Sequence, residues 1–175
     1  MTRKSDLAFV LPKLQVGGRE YYLLHWHRKW SDWSLIGGHV EAWEASNWRD
    51  AAVREADEEL TPLRSGFDFE VERVPVAKLE WGPVPSRSNH DAPTLYRAEY
   101  YGLRFLVDPL VSLKRLPARS FALFDVEAWC AGGLSDTLAR VARQLKHPSI
   151  PLSWSETVSA ESLPRELIQS AAVGA

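Results

Sequence analysis

Between Asn47 and Pro62 the chain places Trp48, Ala52, Ala56 and Leu60 at every fourth position, a spacing that a helix turns into one continuous apolar stripe. Asn47 with Asp50 three places on forms an imperfect capping box, so the helix is expected to begin near Ser46 or Asn47. Pro62 disfavours helical geometry at Thr61 and stops it there. Just upstream stands Gly37-Gly38, where the backbone is free to take conformations closed to other residues.

Strand character surrounds this helix. Leu7 to Leu14 is apolar with a proline inside it, which points to an edge strand or a short irregular one. Gly17-Gly18 reads as a turn, and Glu20 to Arg28, rich in Tyr, Leu and Trp, reads as the strand that pairs back onto the first. Trp33 to Ile36 is a further short strand. Beyond the helix, Phe67 to Leu79 and Leu95 to Leu106 are expected strands, separated by a loop from Gly82 to Pro93 that is long enough to be functional. Phe121 to Val126 is the last expected strand. Ser135 then caps a second amphipathic helix, Thr137 to Leu145, with Leu138, Val141, Ala142 and Leu145 on its apolar side. From Lys146 the composition shifts to Pro and Ser, so residues 1–147 are expected to form one domain and residues 148–175 a tail or extension.

A chain of 175 residues is long enough to bury a real core, and its net charge of −2 offers no general attraction to nucleic acid or anionic lipid. An anionic substrate must therefore be held by local charge. Leu7 to Leu11 is too short an apolar run to cross a bilayer. A single cysteine, Cys130, allows neither an intramolecular disulfide nor a thiolate metal cluster; it reads as buried packing in a protein suited to a reducing cytoplasm. Of the eight tryptophans, Trp26, Trp30, Trp33, Trp43 and Trp48 are clustered around one segment. Such density usually means core packing, and the sharper reading is a stacking platform for a nucleobase.

The residues that carry chemistry are Glu55, Glu58 and Glu59, whose spacing brings three carboxylates to one side of the helix, off the apolar stripe. Taken alone, the triplet fits a solvated acidic surface relieved by Arg49 and Arg54. Oxygen ligands at this density also suit Mg²⁺ or Mn²⁺, which keep several waters and bridge to substrate phosphates.

With its neighbours, the segment resembles a Nudix box, whose pattern is Gly-x5-Glu-x7-Arg-Glu-U-x-Glu-Glu-x-Gly-U with U aliphatic. Gly38 and Glu44 match the first half at the right spacing, and Arg54, Glu55, Glu58 and Glu59 match the core. The preceding run from Trp33 to Glu41 resembles the strand and glycine loop that lead into such a box. Departures are specific. Nine residues separate Glu44 from Arg54 in place of seven, Ala56 stands for the aliphatic residue, Thr61-Pro62 replaces the closing Gly-U, and Ile36 stands where a proline usually precedes the glycines.

The resemblance implies an α/β fold, an α/β/α sandwich with a mixed sheet, that hydrolyses a diphosphate linkage in a nucleoside diphosphate derivative or a nucleoside triphosphate. It implies that Glu55, Glu58, Glu59 and the Gly37 carbonyl ligate Mg²⁺ or Mn²⁺, that Arg54 orients Glu55, and that Gly38 and Glu44 lie on the substrate side. Glu55 is the first choice for general base, with Asp91 and Glu99 outside the box as others. Arg28 and Lys29, after the second strand, are candidate diphosphate contacts, and His25, His27 and His90 are candidate donors to phosphate. The other reading is a Nudix-fold nucleotide-binding or regulatory module with weak turnover, which the insertion before Arg54 favours and the intact acidic set opposes. An exposed Trp-rich surface or an edge strand would favour a homodimer.

Overall fold

The computed structural model describes residues 2–16, 19–29, 32–85, 93–117 and 120–125. These residues form one seven-stranded mixed sheet of strands β1 (Arg3–Val16), β2 (Arg19–His27), β3 (Asp32–Ser34), β4 (Ile36–His39), β5 (Phe69–Pro85), β6 (Pro93–Phe105) and β7 (Phe121–Asp125). The helices are α1 (Trp48–Glu59) and the short α2 (Pro109–Leu113), with a 3-10 turn at Ala42–Glu44. The order is β3-β2-β1-β6-β5, with β4 also paired to β1 and β7 to β2; β1 and β6 run parallel. The α/β class and the mixed sheet are as expected from sequence. The Gly17-Gly18 turn, Trp30, His90, Asp91, Val126, Cys130, the helix from Thr137 to Leu145 and the tail lie outside the described residues.

The first strand is not an edge. β1 is central, pairing with β6 from Arg3 to Pro12 on one side, and on the other with β4 over Leu7–Val10 and then with β2 over Lys13–Val16. Pro12 falls in the gap where β1 leaves β4 and takes up β2, so its missing N–H disturbs neither ladder on that side. The pleat explains the continuous apolar run around it. Ala8, Val10 and Leu14 enter one core, and Leu7, Phe9 and Leu11 enter the core on the opposite side of the sheet.

The expected loop from Gly82 to Pro93 is partly strand, because β5 runs on to Pro85 and pairs it with Pro93. A register shift between Trp81 and Val84 absorbs Gly82, whose φ of 110° and close approach to the Thr94 carbonyl admit no side chain. Trp33 to Ile36 divides into β3 and β4 instead of forming one strand.

α1 lies on the first core. Ala51, Ala52, Ala56 and Leu60 are fully buried against Val10, Ile36, Phe69 and Val71, and the small side chains let the helix come close to the sheet. Deleting the largest of these, by Leu60→Ala, falls in a class that costs about 2–5 kcal/mol. At the start of α1, Asn47 uses its amide to donate to Asp50 Oδ1 at 2.9 Å and does not cap the helix backbone. The end needs no left-handed glycine: Leu60 N–H still bonds the Ala56 carbonyl, and Thr61 Oγ1 donates to the Asp57 carbonyl, both at 2.9 Å.

Candidate active site

Packing of α1 against β4 brings the glycine pair under the acidic side of the helix. Gly37, at φ 143°, has no room for a Cβ, which would lie 2.3 Å from the Ala8 carbonyl oxygen. Its N–H donates to Glu59 Oε2 at 3.3 Å. One residue on, a Cβ at Gly38 would lie 2.6 Å from Glu55 Oε1, so the Glu55 carboxylate rests directly on the glycine α-carbon.

Arg54 ties this arrangement together. Its Nε donates to Glu44 Oε1 at 2.8 Å and its Nη2 to Glu44 Oε2 at 3.1 Å, a two-point contact. The Nη1 donates to Glu55 Oε1 at 2.8 Å and, more weakly, to Glu58 Oε1 at 3.4 Å, and Nη2 also reaches the His39 carbonyl at 3.0 Å. Glu44 is 4% exposed, and its remaining capacity goes to the Glu41 N–H at 2.9 Å, which closes the 3-10 turn on itself. The two inserted residues therefore lengthen the loop between Glu44 and α1 while the glycines and Glu44 stay against the helix.

The electrostatics follow from these contacts. Arg54 hydrogen bonds hold the Glu44 carboxyl below the usual glutamate range, against burial acting the other way. Burial pushes the Glu55 carboxyl up, Arg54 opposes this, and the charges of Glu59 and Glu58 add to the rise. The Arg54 guanidinium is driven upward by its bond to Glu44. Three clustered carboxylates with one arginine among them form a site short of positive charge.

The acidic set fits a divalent cation in donor chemistry, being hard oxygen ligands on one side of one helix. As the side chains stand, no three His, Cys, Asp or Glu among the described residues converge on a common point. The contacts that hold Glu58 and Glu59 are the long ones, at 3.4 and 3.3 Å, and are the easiest to exchange for an ion. Glu58 is 61% exposed and free to swing.

Arg28 and Lys29 are exposed in the turn after β2. His25 lies on the α1 side of β2, with Nδ1 3.6 Å from Glu59 Oε2. Glu99 stands on β6 opposite Ala8, which in turn pairs with Gly38, so Gly38, Ala8 and Glu99 form a row across the sheet. Adjacent strands lie about 4.8 Å apart, which puts the Glu99 backbone roughly 10 Å from Gly38. The Glu99 carboxylate is bound by the Tyr101 hydroxyl and by Lys78 Nζ at 2.5 Å. Of the tryptophans, Trp26 packs on the second core, Trp48 sits under the Arg97 guanidinium at 5.4 Å, and Trp43, beside Glu44, is 74% exposed. An open depression of about 600 Å³ along the solvent side of α1 is lined by Arg54 and Glu58 but by neither Glu55 nor Glu59.

Sequence reasoning missed the His39 carbonyl and the Glu41 N–H as parts of the site. Both act through the backbone, and a side-chain pattern carries no signal for them.

The sequence matches the NUDIX domain family over residues 4–127. The chain belongs to the Nudix hydrolase family, whose defining reaction is cleavage of a pyrophosphate linkage and whose members generally use divalent metal cations. The fold is shared with solved structures. The Ap4A hydrolase of C. elegans superposes with a TM-score of 0.54 at 16% identity, over 84% of this chain and 96% of that one. A mutT/nudix family protein from Listeria innocua gives 0.53 at 19% identity, over 82% and 92%. NrtR from Shewanella oneidensis, solved with a 27mer DNA, gives 0.55 at 11% identity, over 80% of this chain and 59% of that chain. No curated protein matches the sequence. Among the described residues no helix is long and apolar enough to cross a membrane.

Proposed function

We propose that this chain hydrolyses a diphosphate linkage in a nucleoside diphosphate derivative or a nucleoside triphosphate, using Mg²⁺ or Mn²⁺ held by Glu55, Glu58, Glu59 and the Gly37 carbonyl. The observation that carries this is the seating of the Glu55 carboxylate on Gly38 while Arg54 grips Glu55 and the buried Glu44. A bound cation supplies charge for the phosphoryl oxygens and an acidified water. The chain's own residues do the rest. Arg54 fixes Glu55 by a charge-assisted bond, and Glu44 fixes Arg54 from behind, so that a basic carboxylate is held at a set distance from the glycine turn. Burial raises the Glu55 carboxyl above the ordinary glutamate value and so makes it a stronger base than an exposed glutamate, which fits it for the proposed role of proton acceptor. Arg28 and Lys29 are the exposed cations proposed to meet the diphosphate, and Trp43 is the aromatic proposed to meet the base.

The test is turnover with Mg²⁺ and with Mn²⁺ across nucleotide sugars, dinucleoside polyphosphates, ADP-ribose, NADH, coenzyme A and nucleoside triphosphates. Metal-dependent release of a monophosphate or diphosphate product from at least one class is expected. One observation favours a second reading, a binding module without efficient turnover: the acidic side chains do not converge in their present positions. Nucleotide binding with no hydrolysis across the panel would decide for that module.

A further inference from the structure

We propose that His25 is a positioning residue for Glu59, holding that carboxylate laterally through an Nδ1–H bond so that it is aligned for a cation; this rests on the reading of Glu59 as a cation ligand.

Tyr21 and Leu23 of β2 enter the first core, so His25 is on the same side, beneath the end of α1. Its ring is fixed there by Phe121 of β7, directly paired with it in register, with ring centroids 5.0 Å apart and planes inclined by 31°. Its backbone carbonyl accepts from Ser34 Oγ at 3.5 Å. The backbone under the imidazole is therefore held between β3 and β7, and the ring itself rests against Phe121.

Its Nδ1 is buried, makes no hydrogen bond, and lies 3.6 Å from Glu59 Oε2. A ring nitrogen that faces a carboxylate must carry the hydrogen, because a lone pair there would face another lone pair. A closing movement of about half an ångström gives an ordinary N–H···O bond. The same Oε2 takes the Gly37 N–H at 3.3 Å, a long bond. Glu59 is thus held loosely from the glycine turn and has one further donor waiting beside it. Glu55 has the opposite arrangement, being gripped by Arg54 at 2.8 Å. The two ligands at the ends of the acidic set are then each oriented by a neighbour, Arg54 from within the helix and His25 from the sheet. Orienting partners of metal ligands commonly change metal affinity by about 10–100-fold when removed.

The experiment compares His25→Leu, His25→Asn and His25→Gln with the wild-type chain, by calorimetric titration with Mn²⁺ alone and by thermal unfolding. Asn carries an amide N–H close to the place of Nδ1, and Gln carries one near the place of Nε2. The expected result is Mn²⁺ affinity about tenfold weaker in His25→Leu and His25→Gln, and within about threefold of wild type in His25→Asn. In the metal-free protein, ¹⁵N spectra should show His25 with its proton on Nδ1. Should His25→Leu fail to fold, the contrast between Asn and Gln still decides. Wild-type Mn²⁺ affinity in His25→Leu or His25→Gln, or equal loss in Asn and Gln, overturns the positioning role. A wild-type chain that binds no Mn²⁺ overturns the cation reading of the acidic set and this inference with it, so the two failures are told apart.

Discussion

The Glu55 carboxylate and the α-carbon of Gly38 are in direct contact, so close that a methyl group on Gly38 would lie 2.6 Å from Oε1. Gly37, its neighbour, is closed by backbone instead, with a Cβ meeting the Ala8 carbonyl at 2.3 Å. The adjacent glycines therefore do different work. Gly38→Ala meets the far end of a flexible side chain, so the fold should survive while Glu55 is displaced, with a loss in kcat/KM of roughly 10²-fold. Gly37→Ala meets rigid backbone at a φ of 143° and should cost more than about 2 kcal/mol in urea unfolding. Unchanged turnover in Gly38→Ala would separate Glu55 from the chemistry.

Arg54→Lys keeps the charge and loses the planar fork. Lysine cannot bond both Glu44 oxygens and Glu55 together, so the buried Glu44 carboxylate is left under-satisfied. A loss of about 1.5–3 kcal/mol in stability and at least tenfold in kcat is expected. Urea titration and steady-state kinetics check both, and wild-type kinetics in this variant would remove Arg54 from the orienting role.

Glu44 links the same pair to pH. Its folded carboxyl sits below the ordinary glutamate value because of the Arg54 hydrogen bond, so its stabilisation is complete above the unfolded pKa of about 4.3 and is lost as pH falls through the lower folded value. The stability gap between wild type and Glu44→Gln should thus be constant from pH 6 to pH 8 and shrink below about pH 4. A gap that stays constant into acid would mean that Glu44 is not held charged by Arg54.

Much of this was legible in the sequence, and the failures have physical causes. The every-fourth-residue stripe located α1 to within two residues, because a helix buried on one side writes its period into the chain. The acidic set was legible for the same reason, being fixed by helical spacing, whereas the approach of the glycine pair to it followed only from the resemblance to the Nudix box. Pro12 misled the reading of β1 because a proline reports one missing N–H and says nothing about which ladder is interrupted at that point. The approach of His25 to Glu59 depends on the pairing of β2 with β7 and on the packing of α1, and neither is encoded within the spacing of the two residues.

Trp43 is mounted on the 3-10 turn whose last residue, Glu44, is fastened to Arg54, so it projects to solvent from a rigid support. If it meets a nucleobase, Trp43→Ala should weaken nucleotide binding by about 1–3 kcal/mol, and binding should quench the wild-type fluorescence. Trp26→Phe, at a position packed on the second core, should leave nucleotide affinity unchanged. Equal affinity in wild type and Trp43→Ala would assign base recognition elsewhere.

The central claim is that Glu58 and Glu59 complete a divalent-cation site with Glu55, and replacing both by glutamine removes two ligand charges while keeping shape. Calorimetric titration of wild type and the Glu58→Gln/Glu59→Gln variant with Mn²⁺, alongside turnover of the best substrate, tests it most directly. The account predicts that the variant unfolds at nearly the wild-type temperature, loses Mn²⁺ binding and loses metal-dependent hydrolysis together. Undiminished Mn²⁺ binding in the folded double variant would place the cation away from the acidic side of α1 and contradict it.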